Sequence, residues 1–580
     1  MPGDGYASFL EYLTQQHLSL AGYDPGDFLY GHNGPCPQIA RDHPFGQVPE
    51  ILDIPEQETI EWDKHVRSYY RSEGFMLELG EARIWRRRRW AESGGHGYAE
   101  VPDAMFLELM TEGLYSKFLC HTLDAQDRAR FAAILQEDPG ADYWKSDYSC
   151  MAAIRKTRDA ENYVAPTVVL MKQTASRKFE VVAIDLRYWD GNDYEYIDAP
   201  LKPANTDAWR LAKYFVLQGA IHRINLIDHG KVHFPCDVVN AITKTALPTR
   251  HLVHQLLMPH FFLTLPVNNA VLEGEKSLIS RNGTYPYSPF AAEKREVRRL
   301  LSLGWYGWRY YWSGDNASYP PYSFTVGPPD LPSVYGDYMK TCYAPIYEFV
   351  REIVELLPDK ATAADWIEIQ SWAAQISGWL PGFPEWSEFN FDDAGREKSL
   401  DTLAKVLATI IHNAAVVHSC DHASLHWMIQ NRPVPFILRV PPPHNATDKA
   451  VISDTLKQSF DGLFDFISKT FLDSETPMKP WTTGHETILC HPEDLESTCW
   501  ADLLFYRAHN TTLLIDCEYE FKDDKAKAAV VRFREALAFV SDAQKELVKD
   551  YHLPWINPAD GGDVSDKFKK RHCIGAGIQY

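Results

Sequence analysis

WRLAKYFVLQGAIHRINLIDHGKVHFPCDVVNAITKTALPTRHLVHQLLMPHFFLTLPVN, residues 209–268, decides how the rest of the chain is read. Its first half is apolar almost all round a helical projection, which predicts a buried central helix. His222, His229, His233, His251, His254 and His260 lie within it. His229 and His233 are four apart, so on a helix both rings stand on one face, one turn apart. Two imidazoles so placed can chelate one borderline metal ion. A second pair with the same spacing, His418 and His422, lies in TIIHNAAVVHSCDHASLHW, residues 409–427. One such pair arises readily by chance among 22 histidines; two pairs in apolar helical patterns suggest a four-histidine centre built from two helices. Gly230 interrupts the first helix between its histidines, and Pro235 is expected to end or bend it.

The surroundings are mainly helical. Residues 1–60 are rich in Pro and Gly and read as a wrapping, loop-rich arm; residues 57–135 turn amphipathic and include the basic run Arg86–Arg89, read as a solvated face. YVAPTVVLMKQ and KFEVVAIDLRYW, within residues 163–200, are β-branched runs separated by a polar TASRK, a hairpin signal. Residues 304–332 are aromatic, Gly and Pro rich, and are expected to form an irregular packed loop. Helices are expected again in YMKTCYAPIYEFVREIVELL, in ADWIEIQSWAAQISGWL, over 399–428 around the second His pair, and in KAKAAVVRFREALAFVSDAQKELVKDYHL. Without repeats or a clear linker, residues 1–580 read as one mainly α domain with a small β-hairpin or sheet subregion: a loop-rich and helical part over 1–160 and a metal-binding helical core over 161–580.

Composition narrows the function. A 580-residue chain with 45% hydrophobic and 13% aromatic residues has ample core and is not disordered. Its net charge of −21 argues against a nucleic-acid partner and against docking on anionic membranes through a basic face. The start MPGDGYASFLEYLTQQHLSL lacks a basic n-region and a long apolar core, so no signal peptide is read. No apolar run approaches the roughly 20 residues of a membrane span, so no stable membrane insertion is expected. The ten cysteines form no CxxC pair, which fits reduced thiols in a cytoplasmic compartment; a monomer is expected.

WRLAK, a histidine helix, ALPTRHLVHQLLMPHFFLTLPVN, the upstream APTVVL and VVAIDL, the downstream IQSWAAQISG, IIHNAAVVHSCDH and NRP at 431–433 occur in the order that resembles the lipoxygenase catalytic domain. The resemblance covers roughly residues 160–580 well, without a β-sandwich lipid-binding domain at the N-terminus. It implies a mononuclear non-haem iron, with manganese as the alternative. Two His from one helix, a His and an Asn or His from a second, and the terminal carboxylate would hold it. His233 matches the second ligand of the first helix, His418 the first of the second helix, and His422 the Asn/His position. His260 matches a histidine beside the site, read as supporting rather than ligating, while His222, His251 and His254 are expected to pack.

Three departures follow from the same resemblance. The family spaces its first pair five apart across a π-type widening, which points here to Asp228; His229 replaces it if the helix is regular. The chain ends Gly-Ile-Gln-Tyr, so either Tyr580 supplies the carboxylate or that ligand is lost. Ala-Ser-Leu-His follows His422 where the family has Phe-Gly-Gln-Tyr, so the pocket wall is remodelled. The implied activity is hydrogen-atom abstraction from an activated methylene of a polyunsaturated fatty acid or similar lipid, then addition of O2 to give a hydroperoxide. Arg432 is placed to meet a substrate carboxylate, or to tie a turn to a neighbouring one. Two other readings stand beside it: a relative recruited to another oxidation or to hydroperoxide isomerisation, and a metal-free lipid-binding member.

Overall fold

The computed structural model describes residues 101–157, 162–265, 290–304, 322–389, 395–423, 437–448, 512–556 and 573–578, with short breaks inside some of these spans, and Ile60 and Lys64 singly. Residues 1–59, Arg86–Arg89, Arg432 and Tyr580 lie outside the described residues.

The hairpin expected over 163–200 is the centre of a five-stranded antiparallel meander. Its strands are β1 (Leu119–Cys120), β2 (Asp142–Asp147), β3 (Thr167–Gln173), β4 (Phe179–Trp189) and β5 (Tyr194–Tyr196), paired in sequence order. Side chains alternate across β3: Val169 and Met171 enter the main core on one face, while Leu170 joins Ile134 and Ala183 on the other. Both faces are therefore covered, which is why TVVLM reads as a continuous apolar run rather than an alternating one.

The longer helices are α1 (Asp103–Thr111), α2 (Asp207–His222), α3 (His229–Ala246), α4 (Val334–Val354), α5 (Ala363–Trp379), α6 (Arg396–His412) and α7 (Asp524–Tyr551). Helix α2 starts where Thr206 Oγ1 accepts the Trp209 N–H at 3.2 Å, with Asp207 in the first turn facing the positive end of the helix dipole. Trp209 Nε1 and Lys213 Nζ then reach Asp103 at 2.9 and 2.6 Å, fixing α1 across it. All the side chains of α2 except Asp207 and Arg210 are buried, as the apolar pattern required.

Neither Gly230 nor Pro235 breaks the helix; both lie inside α3. Proline at the seventh position removes the bond to the carbonyl of residue 231 and costs about 3 kcal/mol. Burial of Phe234, Cys236, Val238 and Val239 around it contributes about 1.5–3 kcal/mol for each large side chain, which is more. Helix α4 packs against both α6 and α7, and α5 against α3, where the Trp372 indole N–H donates to Thr243 Oγ1 at 2.9 Å. The aromatic stretch is irregular over its described part, 322–330, where the Gly327 N–H bonds Thr409 Oγ1 at 2.8 Å.

Besides the small cluster around Leu170, two larger buried clusters result among the described residues. One joins the sheet, α1, α2 and Ile224, Leu226 and Ile227. The other joins α4 to α7, most of α3, and Ile574 and Ile578 of the C-terminal segment. Helix α3 belongs to both, since Phe234 faces the first cluster and Val232 the second. Its histidines therefore lie at the seam.

Candidate metal centre

Both histidine pairs begin where a π turn ends. Helix α2 widens into a π segment, Arg223–Asp228, and returns to α geometry at His229. Helix α6 widens over Asn413–Val417 and the next residue is His418. The expected widening is thus present but lies upstream of the first pair, and His229 and His233 keep regular i,i+4 geometry. The second helix, expected over 399–428, is continuous from Arg396 to Ala423, and residues 424–436 lie outside the described ones. It is long and apolar enough to cross a membrane, but 67% of its most apolar window is buried inside the protein.

The four rings meet. His233 Nε2 lies 2.8 Å from His229 Nε2 and 3.0 Å from His418 Nε2, and His422 Nε2 lies 3.2 Å from His418 Nε2. One nitrogen from each falls within 4.8 Å of the others. His418 is fully buried, and His229 and His233 are each 9% exposed. Four lone-pair nitrogens aimed at one point repel one another unless a cation or protons sit between them. With metal–nitrogen bonds of about 2.1 Å, neighbouring donors at right angles stand about 3.0 Å apart. The separations of 2.8, 3.0 and 3.2 Å fit neighbouring donors of such a set.

Asp228 is turned elsewhere: its carboxylate lies 3.4 Å from Arg223 Nε. Burial works to raise that carboxyl, but Lys231, Lys117 and Arg223 outweigh it and hold it below the usual range. The i,i+4 alternative, His229, is the one in the cluster.

His260 supports rather than joins the cluster. Its Nδ1 is hydrogen-bonded to the carbonyl of Ala576, its Nε2 lies 3.0 Å from the Tyr519 hydroxyl, and burial lowers its pKa to about 4. The C-terminal segment Cys573–Ile578 is buried, and the Gly575 N–H donates to Ser419 Oγ at 3.1 Å. The tail therefore runs between His260 and the residue next to His418. Reasoning from sequence missed Ser419, and it missed the buried pair Lys117–Asp421; Asp421 three residues after His418 was the available signal.

Two other histidines of the first stretch, His222 and His251, pack or cap. His222 Nδ1 bonds the Gln218 carbonyl at 2.8 Å and its Nε2 accepts the Ala291 N–H at 3.2 Å. His251 lies near Asp365 and Glu368 in a second group of metal-ligating types. Its Nδ1, however, accepts the Val253 N–H at 3.1 Å, so in the neutral ring the proton sits on Nε2 and no lone pair faces the carboxylates. Arg250 lies on those carboxylates, 2.5 Å from Asp365 and 3.5 Å from Glu368.

Comparison with known proteins agrees with this geometry. Residues 141–311, which carry the first histidine pair, match the lipoxygenase family model. Over that stretch the chain is similar to the lipoxygenase family. It is 23% identical over 368 residues to the Sus scrofa polyunsaturated fatty acid lipoxygenase ALOX15, covering 59% of this chain and 52% of that one. It is 26% identical over 276 residues to the Mus musculus hydroperoxide isomerase ALOXE3, covering 43% and 34%. The chain thus spans about half, or less, of the length of these relatives. Among solved structures, a lipoxygenase with residues 413–417 replaced by Gly-Ser superposes with a TM-score of 0.61 at 16% identity, over 99% of this chain and 81% of that one. A calcium-dependent 11R-lipoxygenase gives 0.58 at 14% identity, over 99% and 80%. The fold these structures share, helical with a small antiparallel sheet, is the fold of this chain.

Proposed function

We propose that the chain is a non-haem iron enzyme of the lipoxygenase type, oxygenating a polyunsaturated fatty acid or similar lipid. The observation that carries this reading is the convergence of His229, His233, His418 and His422 on one buried point. These four would hold the metal, iron or alternatively manganese. The carboxylate of Tyr580 is proposed as a fifth ligand; the described part of the tail is bonded to Ser419, the residue after His418. Iron, when bound, supplies the one-electron chemistry by which a methylene between two double bonds loses a hydrogen atom, leaving a carbon radical that takes up dioxygen.

The protein supplies position and dryness. The rings stand on helices at the seam of two apolar clusters, and three of them, those of His229, His233 and His418, are buried there. Arg432 is proposed to take the substrate carboxylate. None of the seven described cysteines is in a disulfide, and a cytoplasmic setting is proposed.

Metal analysis of purified protein, then incubation with linoleate and oxygen, tests the proposal. A conjugated-diene absorbance is expected, and it should vanish in His418→Ala together with the metal. Fully metallated protein that forms no diene refutes the dioxygenase reading. The similarity to a hydroperoxide isomerase supports one alternative, for which a lipid hydroperoxide is the substrate to offer. Purified protein free of iron and manganese would instead favour a lipid-binding role.

A further inference from the structure

The four histidines do not stand alone. Lys117, on the short 3-10 turn Leu114–Phe118 that leads into β1, reaches across the fold to Asp421, with Nζ 2.7 Å from Oδ1. Asp421 is fully buried and the Lys117 side chain is 11% exposed. The other oxygen of the same carboxylate, Oδ2, lies 3.7 Å from Nδ1 of His229. That separation is longer than a formed hydrogen bond, and one ring adjustment of under an ångström closes it. His229 turns its other nitrogen, Nε2, to the shared point, 2.8 Å from His233 Nε2. The imidazole is thus held between a carboxylate on one side and the ligand cluster on the other.

A buried carboxylate behind a ligating imidazole has a definite effect. It takes the Nδ1–H, so the lone pair stays on Nε2, and it fixes the plane of the ring. An isolated carboxylate buried this deeply would cost several kcal/mol, and the ammonium of Lys117 offsets part of that cost. The local charges agree. Burial works to lower the Lys117 ammonium, and Asp421 and Asp228 outweigh it, leaving it above its usual range. Lys117 and Asp421 are 304 residues apart, so the pair also ties the sheet-side cluster to the second histidine helix.

We infer that Asp421, neutralised by Lys117, is the positioning residue for His229: it selects the Nε2 lone pair and aims it at the metal. The inference rests on the metal reading above and names residues that touch neither substrate nor metal. It also bears on the irregular first pair. A histidine entering the site with i,i+4 rather than i,i+5 spacing is guided there by a carboxylate on the opposite helix.

The test uses full-length protein. Wild type, Asp421→Ala and the charge-free pair Lys117→Met with Asp421→Leu, which has no acceptor for the His229 Nδ1–H, are stripped of metal and titrated with Co(II) against a chelator, with the visible ligand-field spectrum recorded. Wild type is expected to give the spectrum of a nitrogen-rich site. Both variants should bind about 10–100-fold more weakly, with an altered spectrum. Asp421→Ala leaves Lys117 buried without its partner and can lower stability; the charge-free pair avoids this. Its metal-free thermal unfolding is expected to match that of wild type. A charge-free variant with wild-type affinity and spectrum overturns the inference while leaving the metal reading intact. Wild type that binds no Co(II) overturns the metal reading, and the inference with it.

Discussion

Gly577→Ala is the sharpest probe of how the tail is seated. A Cβ at Gly577 would fall against the backbone of His260, 2.6 Å from its carbonyl carbon and 2.7 Å from its Cα, with the carbonyl oxygen closer still. Ordinary carbon contacts lie near 3.4–4 Å, so the tail must withdraw by about 1 Å. The obstacle is backbone on an ordered turn, which cannot rotate aside. Withdrawal breaks the bond from the His260 ring to the Ala576 carbonyl and leaves two buried polar groups unsatisfied, a loss of about 1–3 kcal/mol, with a similar overpacking cost. We expect a total near 3 kcal/mol. A chain of 580 residues has an unfolding entropy of about 1.2 kcal/mol/K, so the global Tm should fall by only about 2–3 °C. The larger effect is local: amide exchange of residues 573–578 should accelerate by more than tenfold, measured by mass spectrometry after digestion. Gly378→Ala, on α5 with no atom within 4 Å of the added Cβ, is the control and should be neutral or slightly stabilising. Wild-type exchange of the tail in Gly577→Ala would refute the packing argument.

Acid should destabilise the fold in a defined window. His222, His251, His260 and His412 are pushed down to about 4, chiefly by burial. Their folded pKa values lie below the unfolded value of about 6.5, so the unfolded state binds more protons between these limits. Stability is full above about pH 6.5 and falls toward pH 4, by up to about 1.4 kcal/mol per pH unit for each histidine. Asp127, raised by burial to about 6, works in the opposite sense and offsets part of one of these. Urea midpoints measured from pH 7.5 to 4.5 should decline throughout, and a flat profile would count against buried neutral rings. Lys145, fully buried with Asp127 at 2.5 Å, Asp147 at 3.3 Å and Asp124 at 3.4 Å, should be costly to neutralise. Lys145→Met is expected to lose about 3–5 kcal/mol in urea unfolding, whereas Lys340→Met, in an exposed pair with Asp330, should leave the urea midpoint unchanged.

What was legible in the sequence was whatever a fixed period writes into it. The i,i+4 spacing of His229 with His233 and of His418 with His422 fixed the face of each helix, and the shared ligand chemistry linked pairs 185 residues apart. The β-branched runs of β3 and β4 were legible for the same reason. Lys117 and Asp421 were not, because an ion pair across 304 residues depends on how two clusters pack and leaves no local pattern. The π turns were not locatable either: a shifted backbone bond at Arg223–Asp228 has no compositional mark. Pro235 misled because local propensity pointed to a break while burial around it favoured continuity. Asp228 against His229 turned on where the widening falls, which spacing alone leaves open.

The two π turns also separate tasks that a plain helix would fuse. Each inserts about one residue into an α-helix and so advances the phase of everything after it by about 100°. Upstream of each insertion, α2 and α6 are set by the apolar faces they bury; downstream, His229 and His418 are set by the point they share. The packing face and the ligating face of one continuous rod therefore need not coincide. Mutations that repack α2 or α6 can accumulate without rotating the imidazoles, and the histidine register can be retuned by a single residue of slack without repacking the core.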